Sequence, residues 1–441
     1  MKRFSTLLIL LLALCLLPLC GCEMGGSIDE LYSLPQLSDE YLDLQHAIDG
    51  VLASGAGYAA PVGGTHRQSV QLYDLNGDGT EEALAFFSTT GEKPLKIYVF
   101  IQTESAYEKA AVIEGDGRSI ESIDYLDMDG DGWSEIVVGW GLGGDLKMLN
   151  LYSLKGFQVA SIATSDYTKY ITADMDGDRW QELMVLRQGS SEVPGTVTLY
   201  AVDSDGETIS ATDNLSAGLE NFSKVSCGTL KDKKAGLFVE GSCQGGLLTD
   251  IFVYQSGELD NITIDADTGI SSGTLRNSTA AFRDLNENGS PLVPIPRALP
   301  AQSETVYRVL DWYIYNSRGR RSTVCTTYHN YSDSWYLTLP ESWGNSVTIR
   351  REDTDAGERG VVFSLWNGEG QPVTDFLVIY ALSGENRSEH ARKEGRFTLY
   401  VGNETIYAAE LRLSKSEWSE MPELSELRER FHLIYSEWIA Q

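Results

Sequence analysis

The sequence predicts a mainly β fold built from repeated small sheets, followed by an α+β unit at the C-terminal end. Three observations carry this. An acidic, glycine-rich nonapeptide begins at Asp74, Asp127 and Asp174, spaced by 53 and 47 residues, and a weaker copy begins at Asp284, 110 residues further on. Each is followed by an apolar run and by further strand-like segments, as at 83–87, 95–101 and 107–114. The 43 Gly and 22 Tyr, against 12 Pro, favour short strands and tight turns over long helices. Three or four short strands per ~50-residue unit suit a propeller blade. The expectation is therefore a β-propeller of about five to seven blades over residues 61–324, then an α+β domain over 325–441.

Composition bounds the class. With 64 acidic against 34 basic residues among 441, the formal charge is −30. A chain that is 42% hydrophobic and 22% charged can build cores. Its acidity excludes a nucleic-acid partner, since phosphate binding needs a basic face. The first residues read as an address. Lys2 and Arg3 precede the apolar stretch 7–19, which is shorter than the ~17–25 residues of a membrane span but suits a signal peptide. Leu19-Cys20-Gly21-Cys22 resembles the bacterial lipobox. That resemblance implies a signal peptide over 1–21, lipid attachment at Cys22, a tether over 22–37, and an extracytoplasmic protein anchored to the bacterial cell membrane. Residues 38–60 form a helix and lead-in: Ser38 can cap, and Tyr41, Leu44, Ile48 and Val51 share one face before Gly55.

The nonapeptide has the chemistry of a cation loop. Calcium takes six to eight hard oxygens at ~2.3–2.6 Å. Acids at positions 1, 3 and 5 turn oxygens inward, position 7 offers a main-chain carbonyl, and a Glu at position 9 closes the set. Glycines at positions 4 and 6 allow the positive φ of the curve. The expected Ca2+ ligands are Asp74, Asn76, Asp78, the carbonyl of Thr80 and Glu82 in the first loop. In the second they are Asp127, Asp129, Asp131, the carbonyl of Trp133 and Glu135. In the third they are Asp174, Asp176, Asp178, the carbonyl of Trp180 and Glu182, with Arg179 standing where Gly would sit. The closing Glu precedes a strand, so these are not EF-hands. A degenerate fourth copy lies near 227–240 without its acids, and the fifth has Asn286, Asn288 and Leu292 at positions 3, 5 and 9.

The run Asp127-Met-Asp-Gly-Asp-Gly-Trp-Ser-Glu-Ile-Val-Val-Gly139 resembles the FG-GAP/VCBS repeat of bacterial surface proteins and integrin-like propellers. The likeness covers roughly residues 65–300. It implies blades with calcium loops on one rim, and exposed loops that bind a protein or glycan partner, without implying an enzyme. Past residue 305 the repeat fades. Alternating runs from 306 to 413 read as an antiparallel sheet, and a helix after Pro422 places Leu424, Leu427, Phe431, Ile434 and Trp438 on one face to cover it. Cys227 and Cys243 lie on neighbouring strand-like runs, either as a disulfide or as two thiols. Gly269-Ile-Ser-Ser-Gly273 matches GxSxG formally but lacks the strand and helix that motif needs. The expected function is a non-catalytic binding or scaffold lipoprotein. The alternative is a propeller hydrolase or lyase acting on extracellular polysaccharide.

Overall fold

The computed structural model describes residues 39–434, except 105, 191–192, 204, 302–304 and 355–356. The lipobox, the tether and Trp438 lie outside the described residues. The chain is mainly β, in six antiparallel sheets that follow one another in sequence. Helix α1 (Asp39–Ala53) leads into the first sheet: β1 (Gly57–Tyr58), β2 (Val70–Tyr73), β3 (Glu82–Ser88), β4 (Leu95–Gln102) and β5 (Tyr107–Gly115). The second holds β6 (Ser119–Leu126), β7 (Glu135–Gly143), β8 (Leu146–Ser153) and β9 (Ala160–Asp166). The third holds β10 (Lys169–Ala173), β11 (Glu182–Arg187), β12 (Thr196–Val202) and β13 (Thr208–Asn214). The fourth holds β14 (Glu220–Thr229), β15 (Ala235–Cys243), β16 (Gly246–Gln255) and β17 (Glu258–Asn261).

Alternation along β3, β7 and β11 explains how the sheets associate. In β3, Leu84 and Phe86 face the second sheet, whereas Ala83, Ala85 and Phe87 face Leu44 and Ile48 of α1. In β7, Ile136 and Val138 meet the first sheet while Val137 meets Leu183 and Val185 of the third. In β11, Met184 and Leu186 turn the other way, onto Leu237 and Val239 of the fourth. A strand buried on both faces must be apolar throughout, so these runs read as continuous rather than alternating. Each large side chain so buried contributes about 1.5–3 kcal/mol.

Beyond the fourth sheet the structure departs from expectation. The fifth sheet holds β18 (Val293–Ala298), β19 (Arg308–Tyr315), β20 (Arg321–Asn330) and β21 (Trp335–Leu339). The boundary expected between residues 324 and 325 therefore falls inside β20. The sixth holds β22 (Val347–Thr354), β23 (Glu358–Leu365), β24 (Thr374–Ser383), β25 (Arg396–Val401) and β26 (Thr405–Leu411), with the short α2 (Arg387–His390) between β24 and β25. It packs on the fifth through Val361, Phe363 and Ile379 against Val309, Trp335 and Leu337. The C-terminal segment thus continues the series of sheets. The terminal helix is also shorter than its periodicity implies: α3 spans Leu424–Arg430, and Phe431–Leu433 becomes a strand, β27, paired with β21 (Trp335↔Leu433). The open edge of β21 satisfies that backbone, and Phe431 packs on Trp335 there.

The outer face of the sixth sheet, with Val362, Val378 and Tyr380, is covered by Ala391 just after α2. Among the described residues no core cluster joins the first sheet to the sixth, so the ring closure expected of a propeller is not seen. The cysteine alternatives resolve by register. β14 and β15 are neighbours, but Cys227 stands opposite Leu237, and Cys243 lies six residues further along the strand. At ~3.4 Å per residue that is roughly 20 Å, far beyond disulfide reach. Both are free thiols.

Candidate metal loops on one edge of the sheets

The three good nonapeptides join β2 to β3, β6 to β7 and β10 to β11, and all three have the same wiring. The position-1 carboxylate accepts two backbone N–H groups: Asp74 from Gly77 (2.8 Å) and Gly79 (2.9 Å), Asp127 from Gly130 (2.7 Å) and Gly132 (3.2 Å), Asp174 from Gly177 (2.7 Å) and Arg179 (3.0 Å). Position 3 accepts from the N–H of position 5: Asn76 from Asp78, Asp129 from Asp131, Asp176 from Asp178. Position 5 accepts from position 7: Asp78 from Thr80 (2.7 Å), Asp131 from Trp133 (2.8 Å), Asp178 from Trp180 (2.7 Å). The closing Glu reaches back to position 2: Glu82 to Leu75 (2.8 Å), Glu135 to Met128 (3.2 Å), Glu182 to Met175 (2.6 Å). Sequence reasoning missed this last tie, although the buried apolar residue at position 2 of every copy is its signal.

Backbone torsions confirm why glycine recurs. Position 6 has φ of +87° at Gly79 and +89° at Gly132, and Arg179 adopts the same +89° despite its side chain. The loops also touch. The Ser134 N–H donates to the Leu75 carbonyl (2.8 Å), and a Cβ on Gly77 would stand 2.8 Å from the Gly132 carbonyl. The Trp180 indole lies against Gly130 in the same way. The fourth turn, 230–234, is shortened and carries Lys233 and Lys234 where acids would stand. It shares a small cleft with Asp174 and Asp176. The Thr229 N–H donates to the Gly289 carbonyl (2.7 Å), which brings in the fifth loop. That loop keeps the Asp284 bond to the Gly289 N–H (2.6 Å) but ends on buried Leu292.

The donor sets suit a hard divalent cation. Asp127, Asp129 and Asp131 each bring a carboxylate oxygen within 4.8 Å of the others, as do Asp174, Asp176 and Glu182. The first loop falls short of three such acids because of Asn76, whose amide donates to Glu82 (3.3 Å). The charge crowding is visible in the acids themselves. Burial pushes Glu135 up to about 7 despite its bond from Met128, and Asp129 and Asp127 push the same way. Glu182 is likewise raised to about 7 by burial, with Asp176, Asp178 and Asp174 adding to it. Asp131 goes the other way: burial would raise it, but Lys155 and the Trp133 N–H outweigh that. The Lys155 ammonium touches Asp131 directly, a partner 24 residues away that no local pattern announces.

The formal GxSxG is structural. Ser271 is fully buried, its hydroxyl donates to Asp250 (2.5 Å), and its N–H donates to the Ser216 hydroxyl (2.8 Å).

No family model and no curated protein matches the chain. Among solved structures, an exotype rhamnogalacturonan lyase shares 15% identity over 73% of this chain and 56% of its own, with a TM-score of 0.32. A protein from Lactobacillus plantarum shares 11% over 72% of this chain and 85% of its own, with a TM-score of 0.30. A Bacillus licheniformis rhamnogalacturonan lyase shares 13% over 58% of this chain and 60% of its own, with a TM-score of 0.22. The chain spans little more than half the length of the first. Overlaps this loose say nothing about chemistry, and the fold described above rests on its own strand pairing.

Proposed function

We propose that this protein is a membrane-anchored extracytoplasmic lipoprotein whose propeller-like sheets, stabilised by calcium, act as a non-catalytic binding or scaffold module for a protein or glycan. One observation carries the reading: three successive loops with one hydrogen-bond pattern sit side by side at one edge, two of them gathering three acids apiece. Such a row is costly without cations and becomes a brace with them. Calcium fits better than magnesium, whose octahedral demand a nine-residue loop of carboxylates and carbonyls meets poorly. The burial of Ser271 speaks against the one hydrolase motif in the sequence.

Extracellular calcium modules bind with Kd of ~10⁻⁴–10⁻³ M, so 1 mM calcium would stabilise each occupied site by about 0.4–1.4 kcal/mol. The melting temperature should fall on chelation and recover with calcium more than with magnesium. Asp129→Ala with Asp131→Ala should remove much of that response. A melt indifferent to chelator would end the calcium reading. The anchor is tested separately: Cys22→Ser should leave unprocessed precursor without lipid label, and normal labelling would refute it.

A further inference from the structure

Positive charge is scarce in this chain, with 34 Lys and Arg against 64 acids, yet six of those cations meet at one place. Lys231, Lys233 and Lys234 lie in the turn between β14 and β15, and Arg318, Arg320 and Arg321 in the hairpin between β19 and β20. All six are exposed. Neither run announces the other in the sequence; the fold joins them. The Lys231 N–H donates to the Tyr315 carbonyl (2.8 Å), and the Lys231 ammonium to the Ser322 hydroxyl (2.7 Å). The Ser317 hydroxyl and N–H donate to the Asp232 carboxylate (2.7 and 3.1 Å).

Both runs are held in fixed shapes. Asn316 Oδ1 accepts from the N–H groups of Arg318 and Arg320 (3.0 Å each), and the Asn316 N–H donates to the Arg320 carbonyl (3.0 Å). The Leu230 N–H closes the lysine turn on the Lys234 carbonyl (2.8 Å). The Arg321 guanidinium lies over the Tyr313 ring, 4.4 Å from its centroid, and donates to the Gly273 carbonyl (2.7 Å). Among the described residues none of the six forms an ion pair. The carboxylate bonded into the patch, Asp232, has both oxygens engaged by Ser317. A lone hairpin tip would be an ordinary solvated turn. Two basic runs docked side by side make a patch of one sign, whose mutual repulsion an anion from outside relieves.

We propose that this surface binds a linear polysaccharide that carries an anionic group, carboxylate or phosphate, on successive sugars. The arginine forks match either anion in bidentate pairs, and the lysines add point charges. No large apolar side chain is exposed in either run, so the buried anchor of a protein interface is missing. A flat anionic bilayer fits poorly as well, because acids border the lysine turn. Asp174 and Asp176 share a cleft with Lys233 and Lys234, and the fifth loop, with Asp284 and Glu287, joins the base of the turn through Thr229 and Gly289. A single chain can follow the cations past those acids, where a membrane would meet both. This rests on the binding-module reading and gives it a place and a ligand class.

The test is calorimetry on the whole protein with a uronate hexasaccharide, a sugar-phosphate oligomer, a neutral hexasaccharide, an oligoglutamate of equal charge and phosphatidylglycerol vesicles. At least one of the two anionic glycans should bind and the neutral sugar should not. Raising NaCl from about 0.05 M to about 0.5 M should weaken binding at least tenfold by screening. Arg318→Gln with Arg320→Gln should weaken it at least fivefold, and Lys233→Gln with Lys234→Gln should do the same, with unchanged melts in both. No binding by either anionic glycan, equal or tighter binding of the oligoglutamate or the vesicles, or indifference to either pair of substitutions would overturn the proposal. A neutral glycan or a protein bound elsewhere would leave the module reading standing while this one fell.

Discussion

The ion pair between Glu240 and Arg276 offers the sharpest test of how the segment between β17 and β18 is held on the fourth sheet. Both side chains are fully buried. Arg276 is wholly engaged: its Nε donates to the Ala280 carbonyl (3.0 Å), its Nη1 to Thr249 Oγ1 (3.0 Å) and the Thr274 carbonyl (3.0 Å), and its Nη2 to Glu240 Oε2. Glu240 Oε2 also accepts from the Phe282 N–H (3.1 Å) and the Thr249 hydroxyl (3.0 Å), whereas its Oε1 has no hydrogen-bond partner. Arg276→Met strands that fully buried carboxylate without its guanidinium and should cost about 3–5 kcal/mol. Glu240→Leu combined with Arg276→Met removes both charges and should recover most of the loss, because the pair repays its desolvation only in part. Urea midpoints of the two single variants and the double variant measure the coupling. A single-variant loss under ~1 kcal/mol, the size of an exposed pair, would refute the reasoning.

Further perturbations probe the loops and the last sheet. Gly130→Ala must place a Cβ against the Trp180 indole at φ +72°, and Gly79→Ala has open space at φ +87°. The first should lower the melting temperature more than the second, whose cost is backbone strain of roughly 1–2 kcal/mol. Lys155→Met frees Asp131 and should tighten calcium binding at the second loop severalfold by calorimetry, whereas unchanged affinity would mean the ammonium does not compete. Glu358 is buried, which would raise its pKa, but Arg396 (2.8 Å) and Lys393 more than reverse this and hold it at about 2. Its folded pKa lies below its unfolded value near 4.5. The stabilisation is therefore complete above that value and is lost as pH falls toward 2, on the order of 3 kcal/mol in all. Glu358→Gln should flatten that acid limb of the stability curve, and an unaltered limb would assign it to other carboxylates.

The loops were legible because their turn constrains spacing: side-chain oxygens at alternate positions that accept backbone N–H groups, and glycine where φ is positive, leave a pattern that needs no distant partner to be read. Strands β3, β7 and β11 were legible for a related reason, since burial on both faces leaves no polar position to confuse. The strands of the fifth and sixth sheets were read, but as one antiparallel sheet of a separate domain, because Leu292 replaces the closing acid and nothing marks the start of β22. Phe431 illustrates a different limit. Leu424, Leu427 and Phe431 fit a helical stripe, yet the free edge of β21 captured the chain, a competition that local periodicity does not register. Register also decided Cys227 and Cys243.

The return of β27 to β21 places the whole sixth sheet, covalently, inside the fifth. A chain made from its N-terminus therefore finishes the sixth sheet before the fifth can acquire its last strand, and the edge of β21 stays bare throughout synthesis of residues 340–430. Residues 431–433 are thus the piece that covers this edge, and without them the backbone groups of 335–337 on that side would lose their partners.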